Sequence, residues 1–291
     1  MKILIIIDSL GSGGAERSTE VLCDYLYEKD IPFQIIVLDK RNVGVQTRML
    51  QKGYKISFLE KRGFLGEVRL LAQIIKKEKF SLVHSILFRS NLRTRCAKFI
   101  TNFIHLESLV NTTYSKERKL DKKVNQTALK FFKFCDKVTA RKGVDHFHSI
   151  TETVKTHYIN ELGLNPEKIT VIFRGRKPIL SNFADRIELP NKEVNFINVG
   201  RHEFQKGQIF LLEAAKILKE EGYSFKIRIY GREGTVTPVL KDFVETRNLG
   251  EYVTFEGYST NIPERLLESD IFIFPSLYEG LGGALIEAQA A

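Results

Sequence analysis

Short apolar runs rich in isoleucine and valine alternate along this chain with longer stretches in which apolar and polar residues recur at helical spacing. Seven runs come first: KILIII near the amino terminus, then FQIIVL, KISFL, SLVHSI, IHLESLV, FHSIT and ITVIF. Apolar runs of this length, separated by amphipathic segments, are the pattern of parallel strands joined by crossover helices. The rhythm breaks over KPILSNFADRIELPNKE, which holds two prolines and no clear period. It resumes with NFINVG, FKIRIYG, VTFEG and DIFIFPS, spaced by helical segments such as GQIFLLEAAKILKEEG. The pattern therefore predicts two α/β domains, residues 1–178 and 193–291, joined by a linker at 179–192.

Local signals support this register. Thr151 stands where its hydroxyl can cap the helix ETVKTHYINEL, and Gly163 suits that helix's carboxyl end. The second domain shows four strands where doubly wound sheets commonly carry five or six, and GALIEAQAA reads as a helix broken off in its second turn. The expectation is an incomplete second domain, truncated at its carboxyl end.

Composition changes this picture little. A chain of 291 residues with 43% hydrophobic content has room for two cores. No apolar run approaches the ~20 residues of a membrane span, and the amino-terminal run is too short for a secretory signal, so a cytoplasmic location is expected. Cys23, Cys96 and Cys135 show neither CxxC nor Cys/His ligand spacing, which argues against a disulfide framework or a zinc site.

Charge adds more. The net charge is +10, and residues 1–150 carry 28 Lys and Arg against 15 Asp and Glu, so the whole excess lies in the first half. RSNLRTRCAK and KERKLDKKVNQTALKFFKFCDK mix cations with Phe and Leu at spacings that can set an apolar stripe beside a basic one. Such a face is either solvated or suited to an anionic membrane surface, which would make the protein peripheral on the inner face of the cell membrane. No recognised motif accompanies the charge to suggest nucleic acid as a partner.

Three loops carry candidate chemistry. After the first strand, IDSLGSGGAER offers glycines ahead of a helix start, but the dinucleotide fingerprint GxGxxG fails at Glu16, and only Asp39 at the end of the second strand keeps a dehydrogenase reading open. In NVGRHEFQKG, a strand ends beside Arg201 and Lys206, two cations on a short loop that can clamp a diphosphate. In PSLYEGLGGALIE, Gly280, Gly282 and Gly283 lie at a helix start between Glu279 and Glu287. Carboxylates accept hydrogen bonds from hydroxyls, and cations hold phosphates; together they describe a nucleotide-sugar site.

On GGAE at 13–16, GRHEFQKG at 200–207, IYGREG at 229–234, FEGY at 255–258 and PSLYEGLGGALIEAQA with its paired glutamates, the chain resembles the retaining glycosyltransferases of family 4. The resemblance implies the GT-B fold, two Rossmann-like domains facing a cleft. It implies transfer of a sugar from a nucleoside diphosphate sugar, UDP- or GDP-linked, to a polysaccharide or lipid-linked glycan acceptor, without cofactor or metal. Arg201 and Lys206 would then neutralise the donor diphosphate, Glu279 would hold the transferred sugar and Glu287 the ribose, with Gly282 and Gly283 adding backbone contacts. Gly13 and Gly14 would line the acceptor side, and Glu16 would be a structural partner in its own turn. Two positions depart from the family pattern: Asn111 stands where many relatives have histidine, and VIFRGRK replaces a common Asn-Gly, placing Arg174 on the donor side or at the hinge. His84, read as ending its strand, is an acceptor-side candidate or a structural histidine. A hydrolase is disfavoured, and the alternative to an active transferase is a catalytically silent relative that binds a partner or nucleotide.

Overall fold

The isoleucines of β1 (Ile3–Ser9) serve two cores at once. Leu4 and Ile6 join a cluster with Ile36, Leu38 and Val83, while Ile3, Ile5 and Ile7 join another with Ile35, Val37 and Met49. Side chains alternate across a strand, so one covered on both faces shows no polar alternation. This is why the run of β1 is continuous in the sequence.

The computed structural model describes residues 2–42, 44–175 and 193–291, and divides into two compact units between Arg174 and Gly175. In the first unit β2 (Phe33–Asp39), β3 (Ile56–Phe58), β4 (Leu82–Ile86), β5 (Ile104–Leu109), β6 (His146–Ser149) and β7 (Ile169–Val171) join β1 in a parallel sheet ordered β3-β2-β1-β4-β5-β6-β7. Its helices are α1 (Gly14–Glu28), α2 (Val45–Gln51), α3 (Gly63–Glu78), α4 (Phe88–Lys98), α5 (Gln126–Gly143) and α6 (Glu152–Leu162). Thr151 Oγ1 accepts the Val154 amide at 3.1 Å, and Gly163 closes α6 in the left-handed region at φ 62°.

The second unit carries β8 (Val194–Val199), β9 (Phe225–Tyr230), β10 (Val253–Gly257) and β11 (Ile271–Phe272) in the parallel order β10-β9-β8-β11. Its helices are α7 (Gln208–Glu220), α8 (Thr237–Thr246), α9 (Ile262–Leu267) and α10 (Gly283–Gln289). Every predicted run forms a strand, but DIFIFPS contributes only two strand residues: Ile273 still donates to Ile197 O at 2.8 Å, and Pro275 then has no N–H to continue. The predicted linker at 179–192 lies outside the described residues.

In both sheets the first strand is flanked by its successor on one side and a later strand on the other. Such a switch point opens a crevice at the carboxyl ends of the strands, where ligands of α/β sheets bind. The loops after β1, β8 and β11, which carry the glycine and charge motifs, leave the sheets there.

The basic helices divide unequally. Of the arginines in α4, Arg95 is buried, Arg93 pairs with Glu67 at 2.6 Å and Arg89 pairs with Asp39. The expected basic stripe on RSNLRTRCAK is therefore mostly spent on packing, whereas α5 keeps Lys130, Lys137 and Lys142 exposed and pairs Lys133 with Glu161.

Candidate active site

The second unit brings its two charged loops together side by side. After β8, Gly200 donates to Tyr230 O at 2.8 Å, and the chain turns through a 3-10 segment, Phe204–Lys206, into Gly207. Gly207 has φ 63°, and a β-carbon there would stand 2.1 Å from Pro275 O, so only glycine lets this loop meet the one after β11. Leu277 N donates to Gln205 O and Gln205 Nε2 donates to Tyr278 O, both at 2.8 Å. This zipper sets Lys206 Nζ 2.6 Å from Glu279 Oε1, with the two side chains about one-fifth exposed, at 21% and 20%.

Around that pair the packing is close. Lys206 Nζ lies 5.9 Å from the centre of the Phe274 ring, and Gly282, at φ 63°, leaves the space that Phe274 fills: a β-carbon on it would meet the ring at 2.8 Å. Gly283 opens α10, and Glu287 follows one turn inside it, half-buried. Arg201 is exposed, in the same loop as Lys206, and its side chain makes no ion pair or hydrogen bond among the described residues. Thus Arg201, Lys206, Glu279, Gly282 and Gly283 all stand on the two loops that flank the β8/β11 switch point. A partly desolvated cation beside a carboxylate, with a second cation in reach of solvent, can hold phosphate oxygens and sugar hydroxyls at once.

Uncharged residues missed by the sequence reading hold this loop. His202 is buried, with Nδ1 3.1 Å from Thr237 Oγ1 and its ring edge-on to Phe255. Gln208 donates to Gly200 O at 3.1 Å, and Asn198 donates to Ile273 O at 2.9 Å, tying β8 to the segment after β11. Amides and a neutral histidine have no charge pattern to betray them in a sequence; only their place in GRHEFQKG could have drawn attention.

In the first unit Gly13 precedes α1 and Gly14 begins it. Glu16 folds back so that Oε2 lies 2.4 Å from where a β-carbon on Gly13 would stand, the third-position carboxylate of a helix returning to its own start. A carboxylate folded onto this turn disfavours a pyrophosphate beside it, which argues against the dinucleotide reading. Asp39 is also spoken for: despite partial burial, hydrogen bonds from Lys61 and Arg89 hold its carboxyl below the usual range. Arg174, expected on the donor side or at the hinge, is the last residue of the first unit and stands beside α1, its Nη1 4.0 Å from where a β-carbon on Gly14 would lie. Asn111 follows β5, half-buried, with Oδ1 accepting the Thr112 amide at 2.8 Å.

His84 does not end its strand: β4 continues to Ile86, and the side chain is buried inside the sheet. Its Nε2 lies 2.8 Å from Ser108 Oγ, which lies 3.0 Å from His148 Nδ1, and His148 Nε2 lies 3.0 Å from Ile172 O. The carbonyl can only accept, so the direction is fixed: His148 donates to Ile172, Ser108 to His148, and His84 to Ser108. A second chain runs from Ser85 Oγ to His105 Nε2 and from His105 Nδ1 to Gly143 O. Burial, reinforced by neighbouring histidines at His84 and by Arg95 at His105, pushes each imidazole down to about 3.

Both histidines thus have folded values below the ~6.5 of the unfolded chain. Between pH 6.5 and 3 the unfolded state binds protons that the folded state refuses, so stability falls as pH drops through that window. We expect urea midpoints to decline from pH 7 to pH 5, with His105→Asn flattening the slope; a midpoint independent of pH over this range would contradict the assignment.

Among the described residues no helix is long and apolar enough to cross a membrane, and no cluster of His, Cys, Asp and Glu has the grouping of a metal site. Residues 12–178 match the family model Glycosyltransferase Family 4, and residues 181–291 match Glycosyl transferases group 1. The fold is GT-B: the structure of Anabaena HepE in complex with UDP and glucose superposes with a TM-score of 0.81 at 19% identity, covering 100% of this chain and 78% of that one. The chain belongs to glycosyltransferase family 4. It is 28% identical to the Staphylococcus aureus capsular polysaccharide biosynthesis glycosyltransferase CapH, over 99% of this chain and 79% of that protein. To the Escherichia coli UDP-Gal:alpha-D-GlcNAc-diphosphoundecaprenol alpha-1,3-galactosyltransferase it is 27% identical, over 76% of this chain and 58% of that protein.

Proposed function

We propose that this transferase moves a hexose from a nucleoside diphosphate sugar, UDP-linked in preference to GDP-linked, onto a polysaccharide or lipid-linked glycan, with retention at the anomeric carbon. The observation that carries the reading is the Lys206–Glu279 pair, 2.6 Å apart, built where two loops converge at the β8/β11 switch point. UDP is favoured because HepE has been determined with UDP and the Escherichia coli relative is named for UDP-Gal. The polysaccharide or lipid-linked acceptor is favoured by the names of CapH and that same relative.

In this reading Lys206 and Arg201 take the two phosphates, and Glu279 exchanges part of its ion pair for hydroxyls of the transferred sugar. Glu287, one turn into α10, takes the ribose hydroxyls, and Gly282 and Gly283 let the donor approach the backbone. Arg174 adds positive charge beside Gly13 and Gly14, and Asn111 offers an amide to the acceptor. The acceptor hydroxyl attacks the anomeric carbon from the face the diphosphate leaves. The bond from that carbon to the phosphate oxygen breaks as the new glycosidic bond forms, and the departing phosphate oxygen takes the acceptor's proton. Preorganised cations at the developing negative charge supply the main electrostatic stabilisation, so no protein base is required. The working place of the protein is the inner face of the cell membrane.

The test is incubation of the chain with labelled UDP-sugars and polyprenyl-diphosphate-linked acceptors, with the anomer of the product read by NMR. An α-linked product from an α-linked donor is expected. An inverted product, or release of free sugar alone, would overturn the reading.

A further inference from the structure

α5 has two apolar faces where a crossover helix needs one. Its inner face carries Leu129, Asp136, Ala140 and Gly143, all buried. On the opposite side Phe131, Phe134 and Val138 recur at i, i+3 and i+7, exposed to 62%, 65% and 46%. At 100° per residue these three fall within one narrow sector of the helix, centred away from the buried face. Lys130, Lys137 and Arg141 border this sector on one side and Lys142 on the other, all exposed. The segment leading into the helix adds Leu120, 70% exposed, and is tied to α5 by Gln126 Nε2 donating to Lys119 O at 3.1 Å. Residues 116–142 hold ten Lys or Arg against three Asp or Glu, and one of the three, Asp136, is buried against Arg95.

We infer that this outward face of α5, with Leu120, is the surface by which the protein docks on an anionic lipid bilayer. Large aromatic side chains pointing into water between lysines match the boundary between headgroups and acyl chains, where the rings enter the apolar layer and the cations meet lipid phosphates. Charge complementarity selects an anionic bilayer over a neutral one and over a basic protein partner. Position fits as well: the chain leaves every parallel strand at the carboxyl edge, so Leu120 and the first turns of α5 lie on the edge of the sheet that also holds Gly14 and Asn111. The inference deepens the proposed function, resting on it only for the lipid-linked acceptor that such docking would bring to this edge.

The test is co-sedimentation of the 291-residue chain with phosphatidylcholine vesicles and with vesicles containing phosphatidylglycerol. Wild type should partition onto the anionic vesicles at least about tenfold more than onto the neutral ones, since each adsorbed cation adds to the attraction. Phe131→Ser with Phe134→Ser should lower that partitioning about tenfold or more, and Lys130→Glu with Lys137→Glu should do the same. Ile100→Ser, an equally exposed residue at the end of α4, should leave it unchanged. Because the chain has no tryptophan, Phe134→Trp gives a single reporter whose emission should shift to the blue with anionic vesicles. Equal binding by the double serine variant, no vesicle binding by wild type, or sedimentation velocity showing a dimer that Phe134→Ser dissolves would each overturn the inference. Calorimetric UDP binding separates the two claims: vesicle docking without nucleotide binding would sink the proposed function and leave the docking surface standing.

Discussion

Lys206→Ala should lower kcat/KM for sugar transfer by about 10²- to 10³-fold, the usual cost of deleting one preorganised donor at a developing anion. The substitution removes the ammonium that meets the leaving diphosphate and leaves the Glu279 carboxylate without the partner it has at 2.6 Å. Both effects act at the same place, so the loss exceeds that from an exposed cation. Lys206→Arg should recover only part of the rate, because a planar guanidinium does not occupy the position of a compact ammonium held against Phe274. Steady-state transfer rates check this, with thermal unfolding to confirm that the variant folds. A rate within twofold of wild type would remove Lys206 from the chemistry.

Arg95→Met should destabilise the first unit by about 3–5 kcal/mol, the range for breaking a buried ion pair from one side. Arg95 is almost wholly buried; its Nε donates to Glu107 Oε2 at 2.6 Å and a second nitrogen reaches Glu107 Oε1. Its Nη1 pairs with Asp136 and reaches Thr139 Oγ1 at 3.1 Å, and Asp136 accepts from the Tyr114 hydroxyl at 2.7 Å. One guanidinium therefore ties α4, β5 and α5 together and offsets two buried carboxylates. Burial pushes the Glu107 carboxyl up against the pull of Arg95, so without the arginine it would fold only with a proton. Replacing Arg95 and Glu107 together by Met and Leu should recover only part of the loss, because Asp136 stays buried with the Tyr114 hydroxyl but without its cation. Urea unfolding of the three proteins measures it, and a single variant as stable as wild type would contradict the role.

The central strands of the first sheet were legible because both faces are covered, which writes β1 and β2 as nearly unbroken apolar runs, while β9 and β10 were legible by alternation, with one face buried. The charge motifs were legible as separate loops. Their joining in one site was expected from their chemistry, but the direct Lys206–Glu279 contact was not, since it depends on β11 pairing beside β8, a long-range choice that local pattern does not encode. His84 was misplaced for a different reason: within the run SLVHSI a polar residue reads as the strand's end, whereas the interior satisfies it with Ser108. Arg95 was hidden among the cations of a basic helix. The aromatics of α5 were legible as an apolar stripe beside a basic one, but not which face the core takes, because that face is made mostly of small and polar residues. Periodicity reports that a face is apolar and does not say what covers it.

The most direct test of the donor site is calorimetric titration of UDP, GDP and ADP into the folded 291-residue chain and into its Lys206→Ala variant. UDP should bind saturably, GDP and ADP more weakly, and UDP binding should be lost in the variant. UDP binding of equal strength in both proteins, or none to the folded wild type, would contradict a donor clamp built on Lys206 and Glu279.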